Sequence, residues 1–320
     1  MPSVQIELTI LLMRKLLIKI VKINFISLFL LFLISLSISS NNIEVCSYYG
    51  VTLDYLLSQR KASNLEPVDV VILAGQSNMA GIGSSEECIN YLSTSEYQQV
   101  KDGVDGVYIY ACNDYIFMEK QPAYLPYSEV TFGYGAFPDK IGPEVGFALE
   151  CQKAGRKLVI IKYTAISMGI DYFSNSIDIS DFMKGYILTC LKDLIDKGYY
   201  PIVRAACWMH GEADCSYFIS ASAYYEKEKA LINYLRNTFN ENLLFIDAKI
   251  TDWVLLFPNC SQDLLNENKE CIAQSDDLCF LIDTTGLKKG YDMAHYDTPS
   301  NIELGRRFAK EFLANYEKSN

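Results

Sequence analysis

The sequence predicts an α/β fold, a three-layer α/β/α sandwich with a central parallel sheet, and three observations predict it. Apolar runs of strand length recur at 68–74, 106–111, 157–163, 202–208, 243–248 and 278–282, with little polar alternation, as in strands buried on both faces. Longer amphipathic stretches at 144–153, 178–197, 221–239 and 302–316 lie among them, and strand followed by helix, repeated, makes a parallel sheet with helices on both faces. No repeat, low-complexity tract or Pro/Gly-rich linker divides the pattern, so most of the 320 residues, 50% hydrophobic overall, read as one domain with a full core.

Ahead of the first strand, Arg14, Lys15, Lys19 and Lys22 precede the apolar run "INFISLFLLFLISLSISS", the order of a signal peptide. Its apolar core of about 16 residues is short of the ~20 that span a bilayer. Cleavage near Ser39 or Ser40 is therefore expected, with retention of residues 1–40 as a signal anchor, and so membrane anchoring, as the alternative. Either way the remaining chain is expected to be secreted, lumenal or extracellular. Residues 41–66 read as a lead-in segment and 67–318 as the domain itself. Strand 68–74 runs into the turn "GQSNMAG", and 84–104 and 113–140 are long connections rich in Tyr and polar residues. In such sheets, long connections at the carboxyl ends of strands build the ligand site.

Charge and cysteine usage narrow the function classes. The whole chain carries −11, and residues 1–40 hold four basic residues against Glu7, so the remainder is more acidic still. That leaves no basic stripe to neutralise phosphates, and a nucleic-acid partner is not expected. All ten cysteines follow the signal segment, and in an oxidising compartment some should pair. Cys260, Cys271 and Cys279 lie in a polar stretch that reads as a surface insertion, with Cys260 expected to pair with Cys271 or Cys279. Cys190 and Cys207 sit in apolar runs that equally suit buried free thiols. The N-x-S/T sequon Asn259-Cys260-Ser261 would put a glycan on the same insertion.

The chemistry concentrates at strand ends. Ser77 follows the strand 68–74, where a crevice opens and a nucleophile would sit, although capping the next helix would also suit a serine there. Gln76 and Asn78 flank it as candidate binding residues. The chain has only two histidines. His295 lies three residues after Asp292 in "GYDMAHYD", a spacing that lets the carboxylate orient the imidazole as a base toward Ser77. His210 ends the strand 202–208 in "CWMHGEADC", and Gly142 opens the turn "IGPEVGFA", whose backbone N–H could join that of Ser77 at an oxyanion. His210, Glu212, Asp214 and Cys215 are all possible metal ligands, but their spacing matches no zinc pattern and no metal is expected. Glu212 and Asp214 read instead as partners that hold the loop, with substrate contact as the lesser alternative.

Together "AGQSNMAG", "IGPEVGFA", "WMHGEAD" and "DMAHYDTPSNIELGRRFA" resemble the four blocks of the sialate O-acetylesterase-like family, which includes carbohydrate esterase family six and belongs to the SGNH-hydrolase superfamily with its flavodoxin-like sheet. The resemblance runs from about Val68 to Ala309. It implies a carbohydrate O-acetylesterase without a cofactor, with Ser77 as nucleophile, Asp292 and His295 completing a triad, and Ser77 and Gly142 as backbone oxyanion donors. The partner it implies is an acetylated carbohydrate, on sialic acid or xylan; an inactive carbohydrate-binding relative is the alternative. In the third block the family pattern is W-x-Q-G-E-x-D, and here His210 stands where Gln is expected. Three readings of His210 stay open: oxyanion donor, structural residue, or acid or base.

Overall fold

The computed structural model describes residues 52–58, 65–114, 123–174 and 180–320. The expected signal or anchor at 1–40, most of the lead-in, and Cys46 lie outside them. In chain order a helix Leu53–Ser58 precedes β1 (Glu66–Gly75), a short helix Ser77–Ala80, β2 (Gly83–Ser84), a helix Thr94–Asp102, β3 (Val104–Asp114), β4 (Ala123–Val130), β5 (Lys140–Ile141) and a helix Glu144–Lys153. Then come β6 (Leu158–Ala165), helices Asp171–Ser174 and Ser180–Asp196, β7 (Tyr199–Met209), helices Glu212–Cys215 and Phe218–Thr238, and β8 (Leu244–Ala248). Helices Trp253–Leu256 and Gln262–Ser275, β9 (Cys279–Ile282) and a helix Thr298–Asn315 follow.

Seven strands form one sheet in the order β4-β3-β6-β1-β7-β8-β9. All neighbours are parallel except β3 and β4. β2 and β5 pair antiparallel in a separate ribbon. From the central β1 the chain builds one half of the sheet through β3 and β6, then the other through β7, β8 and β9, so the switch in direction falls beside β1. In open α/β sheets ligands bind at such a switch point, outside the carboxyl ends of the strands.

β1 shows why its sequence lacks alternation. Val71 and Leu73 enter a core with Phe147, Phe308 and Phe312 from helices Glu144–Lys153 and Thr298–Asn315. Val70 and Ile72 enter the opposite core with Ile187, Leu191 and Leu231 from helices Ser180–Asp196 and Phe218–Thr238. With both faces covered, every position must be apolar, and each such side chain contributes about 1.5–3 kcal/mol by leaving water.

Three segments differ from the sequence expectation. The connection 113–140 contains β4, an antiparallel edge strand, and 84–104 contains the helix Thr94–Asp102, started by a capping box of Ser93 with Glu96. The polar stretch after Cys260 is not a disulfide-tied insertion but the helix Gln262–Ser275, which buries Leu265, Lys269 and Ile272. That helix separates Cys260 from Cys271 by roughly 15 Å at 1.5 Å per residue. Cys279 is buried in β9, where it accepts a contact from Arg236 at 3.6 Å. The expected pairing of Cys260 with Cys271 or Cys279 is therefore absent, and the described cysteines are free thiols, Cys190 and Cys207 among those buried. Among the described residues, no helix is long and apolar enough to cross a membrane.

Candidate active site

Backbone contacts of side-chain-free residues build the floor of the crevice. Gly75, at φ 147°, ends β1 against β7, where a Cβ would lie 2.1 Å from the Met209 carbonyl oxygen. Gly81, at φ 83°, closes the turn after Ser77, and a Cβ there would lie 2.1 Å from the Cα of Gly142. Between them Ser77 is the first residue of the helix Ser77–Ala80; Gln76 holds the cap position without a side-chain cap bond. The Ser77 hydroxyl thus has no capping role, and the side chain is buried with slight access from outside.

Asp292 and His295 face each other across a tight loop. His295 Nδ1 lies 2.7 Å from Asp292 Oδ2, and Asp292 Oδ1 accepts the N–H groups of Ala294 and His295, each at 3.0 Å. Met293, at φ 60°, takes a left-handed conformation between them, and that turn is what folds the carboxylate back on its own chain. Burial pushes the Asp292 carboxyl up, but the His295 side-chain and backbone hydrogen bonds outweigh it and hold the group below its ordinary range. With Asp292 ionised, Nδ1 carries the proton and donates it, which leaves Nε2 as the basic nitrogen.

Asn78 joins this loop to the serine turn. Its Oδ1 accepts from Tyr296 N at 3.1 Å and its Nδ2 reaches Ala294 O at 3.5 Å, so it grips the residues on both sides of His295. The same Nδ2 donates to Glu212 Oε1 at 2.5 Å. Gln76 Oε1 accepts from Gly211 N and Ala213 N, each at 3.3 Å. Gln76, Asn78 and Glu212 therefore tie the turns after β1 and β7 to the His295 loop. Asp214 also holds the loop, accepting from Ile170 N at 2.9 Å and from the Ser220 hydroxyl. Between Ser77 and His295 no direct hydrogen bond is formed among the described residues; the link runs through Asn78.

Two expected oxyanion donors are occupied elsewhere. Gly142 N donates to Glu144 Oε1 at 2.7 Å, and Glu144 Oε2 lies 2.6 Å from Lys162 Nζ in a fully buried ion pair. Lys162 also donates to Ala80 O and Tyr134 O, each at 2.8 Å. His210 is fully buried between Trp208, Phe173 and Tyr224 rings. Its Nε2 lies 3.0 Å from Met168 O and its Nδ1 3.0 Å from the Tyr224 hydroxyl. Burial holds its pKa down to about 3, so the ring is neutral, with Nε2–H donating to Met168 O and Nδ1 accepting from Tyr224. Both ring nitrogens are thus engaged by partners inside the protein. Among the described residues no three His, Cys, Asp or Glu side chains converge as metal ligands.

Lys162 and Glu144 were not singled out from the sequence, yet a signal existed. A lysine in the middle of "VIIKYTA", a strand apolar on both faces, demands a buried carboxylate partner.

The family model described as carbohydrate esterase, sialic acid-specific acetylesterase, matches residues 67–314. No curated protein matches the sequence. Among solved structures, a protein of Arabidopsis thaliana is similar at TM-score 0.59 and 18% identity, over 78% of this chain and 99% of that one. NanS is similar at TM-score 0.55 and 10% identity, over 80% and 100%. A carbohydrate acetylesterase from Xanthomonas citri is similar at TM-score 0.50 and 17% identity, over 78% of this chain and 57% of that one. At these identities the likeness bears on the fold.

Proposed function

We propose that this chain, which belongs to the sialic acid-specific acetylesterase family of carbohydrate esterases, removes O-acetyl groups from sugars with Ser77, His295 and Asp292 as its catalytic residues. The observation that carries the reading is the oriented Asp292–His295 pair, gripped on both sides of the imidazole by Asn78, the neighbour of Ser77. In this reading His295 Nε2 takes the proton of the Ser77 hydroxyl as Oγ attacks the acetyl carbonyl carbon. The imidazolium, stabilised by Asp292, returns that proton to the sugar oxygen as the ester C–O bond breaks. Water, deprotonated by the same nitrogen, then attacks the acetyl-serine, and acetate leaves.

The backbone N–H of Ser77, at the start of its short helix, is the oxyanion donor that this reading retains. Gly142 can join it only if Glu144 releases the N–H, and His210 takes no part. No step calls for a cofactor. The carrier of the acetyl group is sialic acid or a xylan-type chain, and a net charge of −11 gives no role to nucleic acid. By the reading of residues 1–40, the enzyme works outside the cytosol, free or held by that segment.

Acetate release from O-acetylated sialic acid and from acetylated xylo-oligosaccharides tests the reading. Wild-type protein should release acetate from at least one, and Ser77→Ala should lose on the order of 10⁴ to 10⁶ in rate with an unchanged melting temperature. A folded Ser77→Ala protein with full activity would overturn it.

A further inference from the structure

The helices Glu212–Cys215 and Trp253–Leu256 meet away from the two main cores, in a small cluster of Ile170, Cys215, Tyr224, Ile250 and Leu265 with Trp253 and Cys260 packed against it. Ser261 N donates to Cys215 O at 2.6 Å, which locks the chain beside Cys260 onto Cys215. A carbonyl oxygen lies ~2.4 Å from its own Cα and an amide nitrogen ~2.4 Å from the preceding Cα, so the Cα atoms of Cys215 and Cys260 are at most ~7.4 Å apart. The bend at each atom shortens that toward the ~4.4–6.8 Å window of protein disulfides. Cys215 Sγ donates to Glu212 O at 3.3 Å, and Cys260 packs against the cluster that holds Cys215. Among the described cysteines only Cys260 and Cys271 are not buried. Cys260 is thus a solvent-reachable thiol with a buried thiol next to it.

We propose that Cys215 and Cys260 are a disulfide-forming pair, closed by exchange with a low-molecular-weight disulfide such as oxidised glutathione. The half-buried Cys260, as thiolate, attacks one sulfur of the oxidant, forming a mixed disulfide and releasing one thiol. The Cys215 sulfur, losing its proton, then attacks Cys260 Sγ and releases the second. Two protein thiols are oxidised and one disulfide is reduced to two thiols, so atoms and electrons balance. Because Cys215 is fully buried, the second step is the slow one.

The bond would fasten the turn carrying Glu212 to the segment that leads into helix Gln262–Ser275. Glu212 holds Asn78, and Asn78 holds the His295 loop, so the staple supports the far wall of the crevice from behind. It stands whatever ester the crevice takes.

The test is made on the full chain, wild type and Cys260→Ser, incubated with oxidised glutathione, denatured in iodoacetamide without reduction, and mapped by mass spectrometry. The expected result is a peptide pair joined through Cys215 and Cys260, absent from Cys260→Ser. Closing a loop of this length should also raise Tm by on the order of 5–10 °C, reversed by dithiothreitol and absent in the variant. Alkylation of both thiols, glutathione held on Cys260 with Cys215 free, or a link from Cys260 to Cys271 would each overturn the pairing. A bond that leaves Tm unmoved would overturn its stapling role.

Discussion

Substituting His210→Gln removes one titratable group from the interior and keeps what the site demands there, a donor for Met168 O and an acceptor for the Tyr224 hydroxyl. In the folded protein burial holds the imidazole near a pKa of about 3, against an ordinary value of 6.5. Below pH 6.5 the unfolded chain therefore binds a proton that the folded chain refuses, and stability falls as pH falls toward the folded value. Between pH 7 and pH 5 the unfolded chain gains roughly 1.4 pH units' worth of proton binding, or about 2 kcal/mol. The assay is urea denaturation of both proteins at the two pH values. The wild type should lose about 2 kcal/mol more than His210→Gln on acidification, with kcat of the variant at pH 7 within a few fold of wild type. Equal losses would refute a neutral, enclosed imidazole. A severe fall in kcat in the variant would instead make the imidazole an acid or base, a role that the Gln amide cannot take over.

Other substitutions probe the remaining links. Asp292→Asn keeps the shape but favours the wrong tautomer of His295, so kcat should fall about 10⁴-fold with KM within a few fold, as in the serine-protease triad; a change in KM alone would remove Asp292 from its orienting role. Asn78→Ala frees both sides of the His295 loop, and a misplacement near 1 Å should lower kcat on the order of 10² in steady-state assays, whereas unchanged kcat would show that the grip is dispensable. Lys162→Met strands Glu144 in the core and should cost about 3–5 kcal/mol by urea denaturation; a loss under 1 kcal/mol would mean the pair is not buried as described.

What the sequence could and could not disclose follows the range of the interactions involved. The parallel strands were legible because burial on both faces writes an unbroken apolar run, as in Val70 to Ala74. Asp292 and His295 were legible because the pair is local and the chain offers only two histidines. β4 was hidden because an edge strand, half exposed and interrupted by Pro126, has neither the run nor the alternation of a strand. The helix Gln262–Ser275 was hidden because it buries one lysine stem and few apolar side chains against the sheet edge. The occupation of Gly142 and the enclosure of His210 depend on Glu144, Lys162, Met168 and Tyr224, partners fixed by the fold rather than by local pattern. The missing Gln in the third block marked the position but not its answer: a neutral histidine that bonds inward.

The central claim is that Ser77 is an activated nucleophile, and covalent labelling of the folded wild-type protein with a fluorophosphonate, located by peptide mapping, tests it most directly. The adduct should form on Ser77, vanish in Ser77→Ala and slow sharply in Asp292→Asn, since the oriented imidazole must take the serine proton. A folded protein that takes no label, or takes it on another serine, would contradict the assignment of the nucleophile.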